Sequence, residues 1–472
     1  MHYVFYDTET TGTSTQFDQI LEFAAVLTDN SLRELDRFSI RCRLLPHIIP
    51  SPRALRVTGV RPSRLGDASL PSHYEMMSRI NDKLRDWSPA LFLGYNSIPF
   101  DEELLRQAFF QTLLPCYLTN TDGNTRADIL QLAHAVTMYA PDVLRIPTGP
   151  TGRPVYKLAP LAAHNGYSDH AAHEALGDVL ATLHLARLMR DQAPDIWDAM
   201  TQTSSRQLST TYLDRHPMVS FSEAIYNKHS SWLVTRCGEH PTRRGQFAVF
   251  DLAFDPELYV TRSVDDLVRV LNSKKKETRA IRSLAANKQP ILMPEDMAPP
   301  GTAALELDRA ERQRRVEIIR AHPDFRTRVG QALAERFETE APSAYVEQRI
   351  YDDFPNDRDT ALLARFHQVP WTQRIAIATQ FEDRRLTELA RRLIYFEHPE
   401  LLSTAAIDDL DNWLADRIHG EGDNHPWTTV PKAMQDTDAL LQDADGDDAG
   451  LLTEVKQFLL DIADRITTAV DR

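Results

Sequence analysis

The chain has 472 residues, 42% from the apolar set and 26% charged. At roughly 100–200 residues per domain, that length gives about two to four domains, each able to bury its own core. With 53 Lys+Arg against 68 Asp+Glu the formal charge is −15, which excludes a histone-like or wholly basic nucleic-acid coat.

Residues 1–195 carry a net charge of −4, residues 196–345 one of +2 and residues 346–472 one of −13. The pattern of elements divides at the same places, so we expect three domains: 1–195, 196–345 and 346–472. In the first, HYVFYDTET reads as a buried strand, ILEFAAVLTD as a strand at half-buried spacing and RFSIRCRLL as a third, closed by the Pro46 to Pro52 loop. ALFLGYN is a further apolar run, PFDEELLRQAFFQTLL an amphipathic helix with acids in its first turn, and HEALGDVLATLHLARLMRDQ a long helix. Strands mixed with helices in this order indicate an α/β domain with a mixed sheet. In the second, SSWLVTRCGEH, RGQFAVFDLAFD and KQPILMP read as short strands. VDDLVRVLNSKKKE and one long run from RAERQRRVE to ALAERFE are its helices. In the third, helices dominate: DTALLARFHQV, WTQRIAIATQ through RRLIYFEH as one, TAAIDDLDNWLADRIHG and LLTEVKQFLLDIADRITTAV, with DADGDDAG a surface acidic turn that lacks the spacing of a calcium loop.

Cys42, Cys116 and Cys237 form no C-x-x-C pair, so neither a disulfide framework nor a cysteine zinc site is expected. Carboxylates arrive by Asp7, leaving no room for a signal-peptide core. No stretch approaches the ~18 apolar residues of a membrane span. The expectation is a soluble cytoplasmic protein with no membrane contact.

Four acids and one histidine carry the chemistry. Asp7 and Glu9 lie at i and i+2 of a strand, so both carboxylates project from one face, an arrangement eased by a cation between them. A lone D-x-E is more often a strand running into solvent. Asp101, after Gly94-Tyr95-Asn96-Ser97-Ile98-Pro99-Phe100, stands near a helix start, where the helix dipole alone would explain an acid. His173 and Asp178 differ by about 140° on a regular helix. They converge only if His173 precedes the helix and Asp178 lies in its second turn. Singly, each is explained as well by structure as by catalysis.

In order, D-x-E, N-x-x-x-F-D and H-x-x-x-x-D resemble the DEDD superfamily of 3′→5′ exonucleases, histidine subclass, with a ribonuclease-H-like fold. Later motifs resemble the bacterial exonuclease I family: Ser230-Ser231-Trp232-Leu233, Phe250-Asp251-Leu252-Ala253, Asn287 to Leu292, and Tyr351-Asp352-Asp353-Phe354. In that family a small SH3-like β-rich domain and an all-helical domain follow the nuclease. The resemblance implies a processive exodeoxyribonuclease acting on single-stranded DNA in repair and recombination, releasing 5′-mononucleotides. It implies two Mg²⁺ ions, with Mn²⁺ an alternative, since oxygen-only ligands select these over zinc. Asp7, Glu9, Asp101 and Asp178 would be the ligands and His173 the general base, with Thr10, Gly12, Asn96 and Lys157 contacting substrate. A monomer is expected, docking the acidic C-terminal tail of single-stranded-DNA-binding protein. Lys274-Lys275-Lys276 with Arg279 and Arg282, and Arg312 with Arg314 and Arg315, could receive a strand or that tail, although such clusters are commonly solvated faces. Trp232 and Phe250 are expected in the core. The sequence departs from the family pattern at Thr8 and Thr11, where aromatic residues are expected, and at Lys157, where Arg is expected. The competing readings are a DEDD nuclease acting on RNA or as a polymerase proofreader, and a catalytically dead single-strand-binding module. The filling of all five catalytic positions argues against the dead module.

Overall fold

The computed structural model describes residues 2–168, 174–336, 342–420 and 425–470. Apolar runs in the first third pair into one sheet made of β1 (His2–Thr10), β2 (Ile20–Thr28), β3 (Glu34–Arg41), β4 (Ala90–Gly94) and β5 (Thr125–Asp128), in the order β3-β2-β1-β4-β5. The first three are antiparallel neighbours, while β4 runs parallel to β1 and β5 parallel to β4. The expected mixed sheet is present. β2 differs from its expected half-buried spacing: all of its residues are buried, because layers cover both faces of the sheet.

β1 sorts its side chains by parity. Phe5 joins Ala24, Val26, Val179 and Leu183 under the Ala175–Gln192 helix. Val4 and Tyr6 face the opposite layer, among Phe23, Met76, Ile80, Leu104 and Phe109 of the His73–Asp86 and Asp101–Gln111 helices. Because β1, β4 and β5 are parallel, their carboxyl ends share one edge of the sheet, the edge where open α/β sheets bind ligands.

A second, antiparallel sheet forms the middle domain, expected to be SH3-like, from β6 (Val219–Ile225), β7 (Lys228–Glu239), β8 (Gln246–Asp251), β9 (Ile281–Ala285) and β10 (Ile291–Pro294), in the order β10-β6-β7-β8-β9. The long helix expected after residue 309 is two, Arg309–Ala321 and Pro323–Glu335, since Pro323 has no N–H to continue the first and suits the start of the second. The second packs so tightly on β7 that a Cβ at Gly330 would lie 2.4 Å from the Glu239 carbonyl oxygen. Phe250 is fully buried, as expected; Trp232 is only half-buried and lies 3.5 Å beneath the Arg282 guanidinium.

The last part is helical, as expected, with two corrections. The run from Trp371 divides into Trp371–Ala378 and Arg384–Glu397, the latter capped by Asp383, which accepts from the Arg385 N–H. DADGDDAG is not a turn throughout: Gly446 opens the Gly446–Val470 helix, with Asp447 and Asp448 in its first turn, where the dipole favours them. These helices share their cores with the N-terminal domain. Phe366, Leu386 and Leu393 pack with Tyr74, Phe110 and Leu113, and Ile418, Val430 and Val455 with Leu21, Leu55 and Leu65. No described helix is long and apolar enough to cross a membrane.

One buried ionic knot braces the first sheet. Glu102 Oε1 accepts from Arg106 Nη2 at 2.9 Å, Arg126 Nη1 at 3.0 Å and Thr119 Oγ1 at 2.6 Å, and Oε2 accepts from the Tyr6 hydroxyl at 3.0 Å. Removing one partner of a buried pair leaves uncompensated charge, at a cost of about 3–5 kcal/mol. Glu102→Ala should therefore lose about that much unfolding free energy in urea, and a loss under about 1 kcal/mol would show the knot to be dispensable.

Candidate active site

Asp7 and Glu9 project from the odd face of β1, toward the Ala175–Gln192 helix. That helix begins at Ala175, so Asp178 stands in its first turn rather than the expected second. One carboxylate oxygen from each of Asp7, Glu9 and Asp178 lies within 4.8 Å of the other two. Asp101 is not in that group, although its charge acts on both Asp7 and Glu9. It opens the Asp101–Gln111 helix on the even face, where Thr8 Oγ1 donates to its Oδ1 at 2.5 Å. His173 lies outside the described residues.

The charges repel as the geometry requires. Burial, then Asp101, Asp178, Glu9 and Glu22, push the Asp7 carboxyl well above the usual range. Burial, then Asp178, Glu22 and Asp101, push Glu9 up to about 8, with Arg41 opposing. Burial raises Asp101 to about 7 against the hydrogen bond from Thr8. Glu102, its immediate neighbour, goes the other way: burial pushes it up, but Arg126 and Arg106 outweigh this and hold it below its ordinary value. A cluster of oxygens kept from ionising first by burial and then by mutual repulsion is a donor set for a hard divalent cation, which would relieve that repulsion.

Two acids missed in the sequence complete the site. Glu22 sits opposite Glu9 across β1 and β2, and opposite Arg41 across β2 and β3, with Arg41 Nη2 2.8 Å from its Oε2. Only strand register reveals this row. Asp128 ends β5 and accepts from the backbone N–H of Asn96 at 2.8 Å and Ile98 at 3.2 Å, fixing the loop after β4. Its N–H donates in turn to Gln289 of the SH3-like domain at 2.6 Å.

Thr10, Gly12, Asn96 and Lys157 are the residues expected to contact substrate. Asn96 and Lys157 are exposed, and the Tyr95 hydroxyl holds the Tyr156 carbonyl at 2.5 Å, just before Lys157. Thr10 is buried and donates its hydroxyl proton to the Gly12 carbonyl at 2.7 Å. A Cβ at Gly12 would lie 2.5 Å from an Asp18 carboxylate oxygen, so a side chain there would have to displace the carboxylate that Thr11 and the Ser14 N–H hold. The departures at Thr8 and Thr11 have a structural use: each hydroxyl donates to a carboxylate, Asp101 for Thr8 and Asp18, at 2.8 Å, for Thr11. Of the basic clusters, Arg314 and Arg315 pair with Glu311, Arg312 donates to the Leu307 carbonyl, and Arg282 is buried. Lys274 and Lys275 stay exposed.

Comparison with known proteins covers the whole architecture. The family model described as Exonuclease matches residues 4–186, the Exonuclease I SH3-like domain matches 206–335, and the Exonuclease I C-terminal domain matches 344–462. An exodeoxyribonuclease I from Haemophilus influenzae is 27% identical over 399 residues, covering 81% of this chain and 84% of the relative. Another from Escherichia coli is 26% identical over 400 residues, covering 82% and 83%. A crystal structure of E. coli exonuclease I in complex with a dA16 oligonucleotide shares the fold with a TM-score of 0.83 at 23% identity, covering 98% of this chain and 99% of that one.

The repulsion has a measurable sign. The Glu9 carboxyl titrates at about 8 in the folded chain and near ~4.3 when unfolded. The folded state therefore binds the extra proton between those values, and the ion-free chain loses stability as pH rises through that window. In EDTA, Glu9→Gln should raise the melting temperature at pH 8 and change it little at pH 4. Adding Mg²⁺ or Mn²⁺ should stabilise the wild type at pH 8 more than the variant. A wild type at least as stable as Glu9→Gln at pH 8 in EDTA would contradict the account.

Proposed function

The chain belongs to the exonuclease I family, and we propose from that premise that it is a 3′→5′ exodeoxyribonuclease that degrades single-stranded DNA to 5′-mononucleotides. The observation that carries this reading is the convergence of Asp7, Glu9 and Asp178 within 4.8 Å at the carboxyl end of β1. Relatives named for exodeoxyribonuclease activity share more than four-fifths of the chain, and a fold relative holds a DNA single strand. Both support DNA as the substrate.

In this reading Asp7, Glu9 and Asp178 hold the divalent ions, with Asp101 supporting from across the strand. The donor set is all oxygen, which suits Mg²⁺ or Mn²⁺. Two such ions, when bound, activate water and neutralise the leaving 3′-oxygen. The residues of this chain do the rest. Burial and the Ala175–Gln192 helix fix the carboxylates before substrate arrives, so little reorganisation remains for the chemical step. His173, whose side chain titrates near neutrality when unperturbed, takes the proton from the attacking water. Asn96, Lys157, Thr10 and the Gly12 backbone hold the terminal nucleotide. The wider reading is a cytoplasmic monomer acting in DNA repair. Its docking of the acidic tail of a single-stranded-DNA-binding protein is supported by the exposed Lys274 and Lys275.

Asp7→Ala should abolish release of mononucleotides from 5′-labelled oligo-dT in Mg²⁺ while keeping most single-strand binding in EDTA. A variant digesting DNA at the wild-type rate would refute the site. Faster wild-type turnover of oligo-U than of oligo-dT would replace DNA by RNA as the substrate.

A further inference from the structure

The turn between β9 and β10 holds a backbone shape that its residue does not favour. Gln289 has φ 46°, in the left-handed region where residues other than glycine and asparagine are uncommon. Pro290 follows it, and a proline favours extended values at the position before it. Strain of this kind persists only where the surroundings impose it, and it gathers at functional sites. The Gln289 side chain shows what imposes it here. It is buried and crosses from the middle domain to the N-terminal one, where Oε1 accepts the Asp128 N–H at 2.6 Å and Nε2 donates to the Met200 carbonyl at 3.4 Å. A second contact lies beside it, from Arg126 Nη2 to the Asn287 carbonyl at 3.3 Å. β5 is the last strand of the first sheet, so its outer edge has N–H groups with no strand to accept them. Gln289 Oε1 takes the place of that missing acceptor.

The bond reaches the loop after β4. The Asp128 carboxylate accepts from the backbone N–H of Asn96 at 2.8 Å, Ile98 at 3.2 Å and Leu130 at 2.9 Å. Asn96 also has a positive φ, 58°. Its N–H and that of Ile98 converge on one carboxylate, which fixes the loop in this shape. Asp128 is thus held by its backbone from the middle domain and holds the loop by its side chain. Any shift of its backbone carries the carboxylate with it. The Asp101–Gln111 helix starts three residues beyond Ile98, so the same loop also aims Asp101. Two left-handed residues of different domains are joined through a single aspartate.

We propose that Gln289 is a positioning residue for hydrolysis at the 3′ end: acting from the middle domain through Asp128, it sets the 96–98 loop in the shape that presents Asn96 to the terminal nucleotide and Asp101 to the ion site. Glycine would adopt the same turn with less strain, but it has no acceptor to offer Asp128. The proposal rests on the reading of the chain as a nuclease, with Asn96 and Asp101 in the roles given above. It adds to that reading a residue that touches neither substrate nor ion.

The test places Gln289→Gly and Gln289→Asn in the full chain. Both residues take the left-handed backbone readily, glycine offers no acceptor, and asparagine is one methylene short of the bond. Turnover of 5′-labelled dT20 in Mg²⁺ is measured at a temperature where melting curves show the variants folded. There kcat should fall about tenfold while KM changes less than about twofold. A purely structural bond would lower the melting temperature and leave kcat alone. In EDTA, hydrogen exchange of the Asn96 and Ile98 N–H groups should quicken in both variants. Gln289→Gly combined with Asn96→Gly should cost no more in kcat than the more severe single change. A wild-type kcat in both variants, unchanged exchange at these two groups, or losses that multiply in the double variant would overturn the proposal. The nuclease reading fails separately, on a wild type that releases no mononucleotide from dT20 or oligo-U; exchange alone then decides whether Gln289 sets the loop. Turnover on oligo-U only keeps Gln289 in its role and changes the substrate.

Discussion

Asp7 and Glu9 lie two residues apart on one face of a strand that is largely closed to water, and Asp178 is brought against them by a helix whose apolar face is buried. Like charges held this close in a medium of low dielectric oppose folding. The surrounding structure must therefore be stable enough to force them together. That stability comes from apolar packing on both sides of β1 and from the Glu102 knot, which joins β1, the Asp101–Gln111 helix and β5 through Tyr6, Arg106 and Arg126. Relief of the repulsion by a bound cation couples ion binding to the stability of the strand edge.

Asp101 and Glu102 show how environment assigns roles to identical chemistry. They are consecutive, both in the first turn of one helix and both buried. Glu102 accepts from four donors, two of them guanidiniums, and stays ionised as a structural group. Asp101 has the Thr8 hydroxyl as its side-chain donor and, among the described residues, no paired cation to offset its burial, which, with the charge of Asp128, raises its carboxyl to about 7. Groups whose environments separate their titration in this way are the ones available to chemistry near neutral pH.

This contrast also marks what could be read in the sequence. Asp7 and Glu9 were legible because period two is a local property, and Asp178 because the order of motifs fixed its partner. Arg106, four residues after Glu102, was in principle visible as a helix pair; Arg126 was not, since it reaches Glu102 only through the pairing of β4 with β5. Glu22 looked like any strand acid until the register set it beside Glu9. The breaks at Pro323 and Asp383 were present in the residues, but strong apolar periodicity on both sides outweighed a single proline and a single cap. The C-terminal helices read as a separate unit because composition shows where charge accumulates and not which surface a helix covers.

That last point explains why an acidic segment serves a chain whose ligand is a polyanion. Its charge is turned partly inward: Asp448 pairs with Arg56 at 2.7 Å and Glu454 pairs with Arg61, both arginines of the nuclease domain. The same segment grips the loop that follows β1. Gln348 Nε2 donates to Gln16 Oε1 at 3.2 Å, Phe17 lies 6.1 Å from the Tyr345 ring and 5.6 Å from that of Trp427, and Arg417 stands over Phe17 at 5.1 Å. This loop carries Gly12, where a side chain would have to displace the Asp18 carboxylate. From the other side, Gln289 of the SH3-like domain supports Asp128 and through it Asn96. Both accessory domains thus hold the loops leaving the carboxyl ends of the parallel strands. The carboxylates on β1 would supply the proposed chemistry, while the loops around them are held by residues far away in sequence.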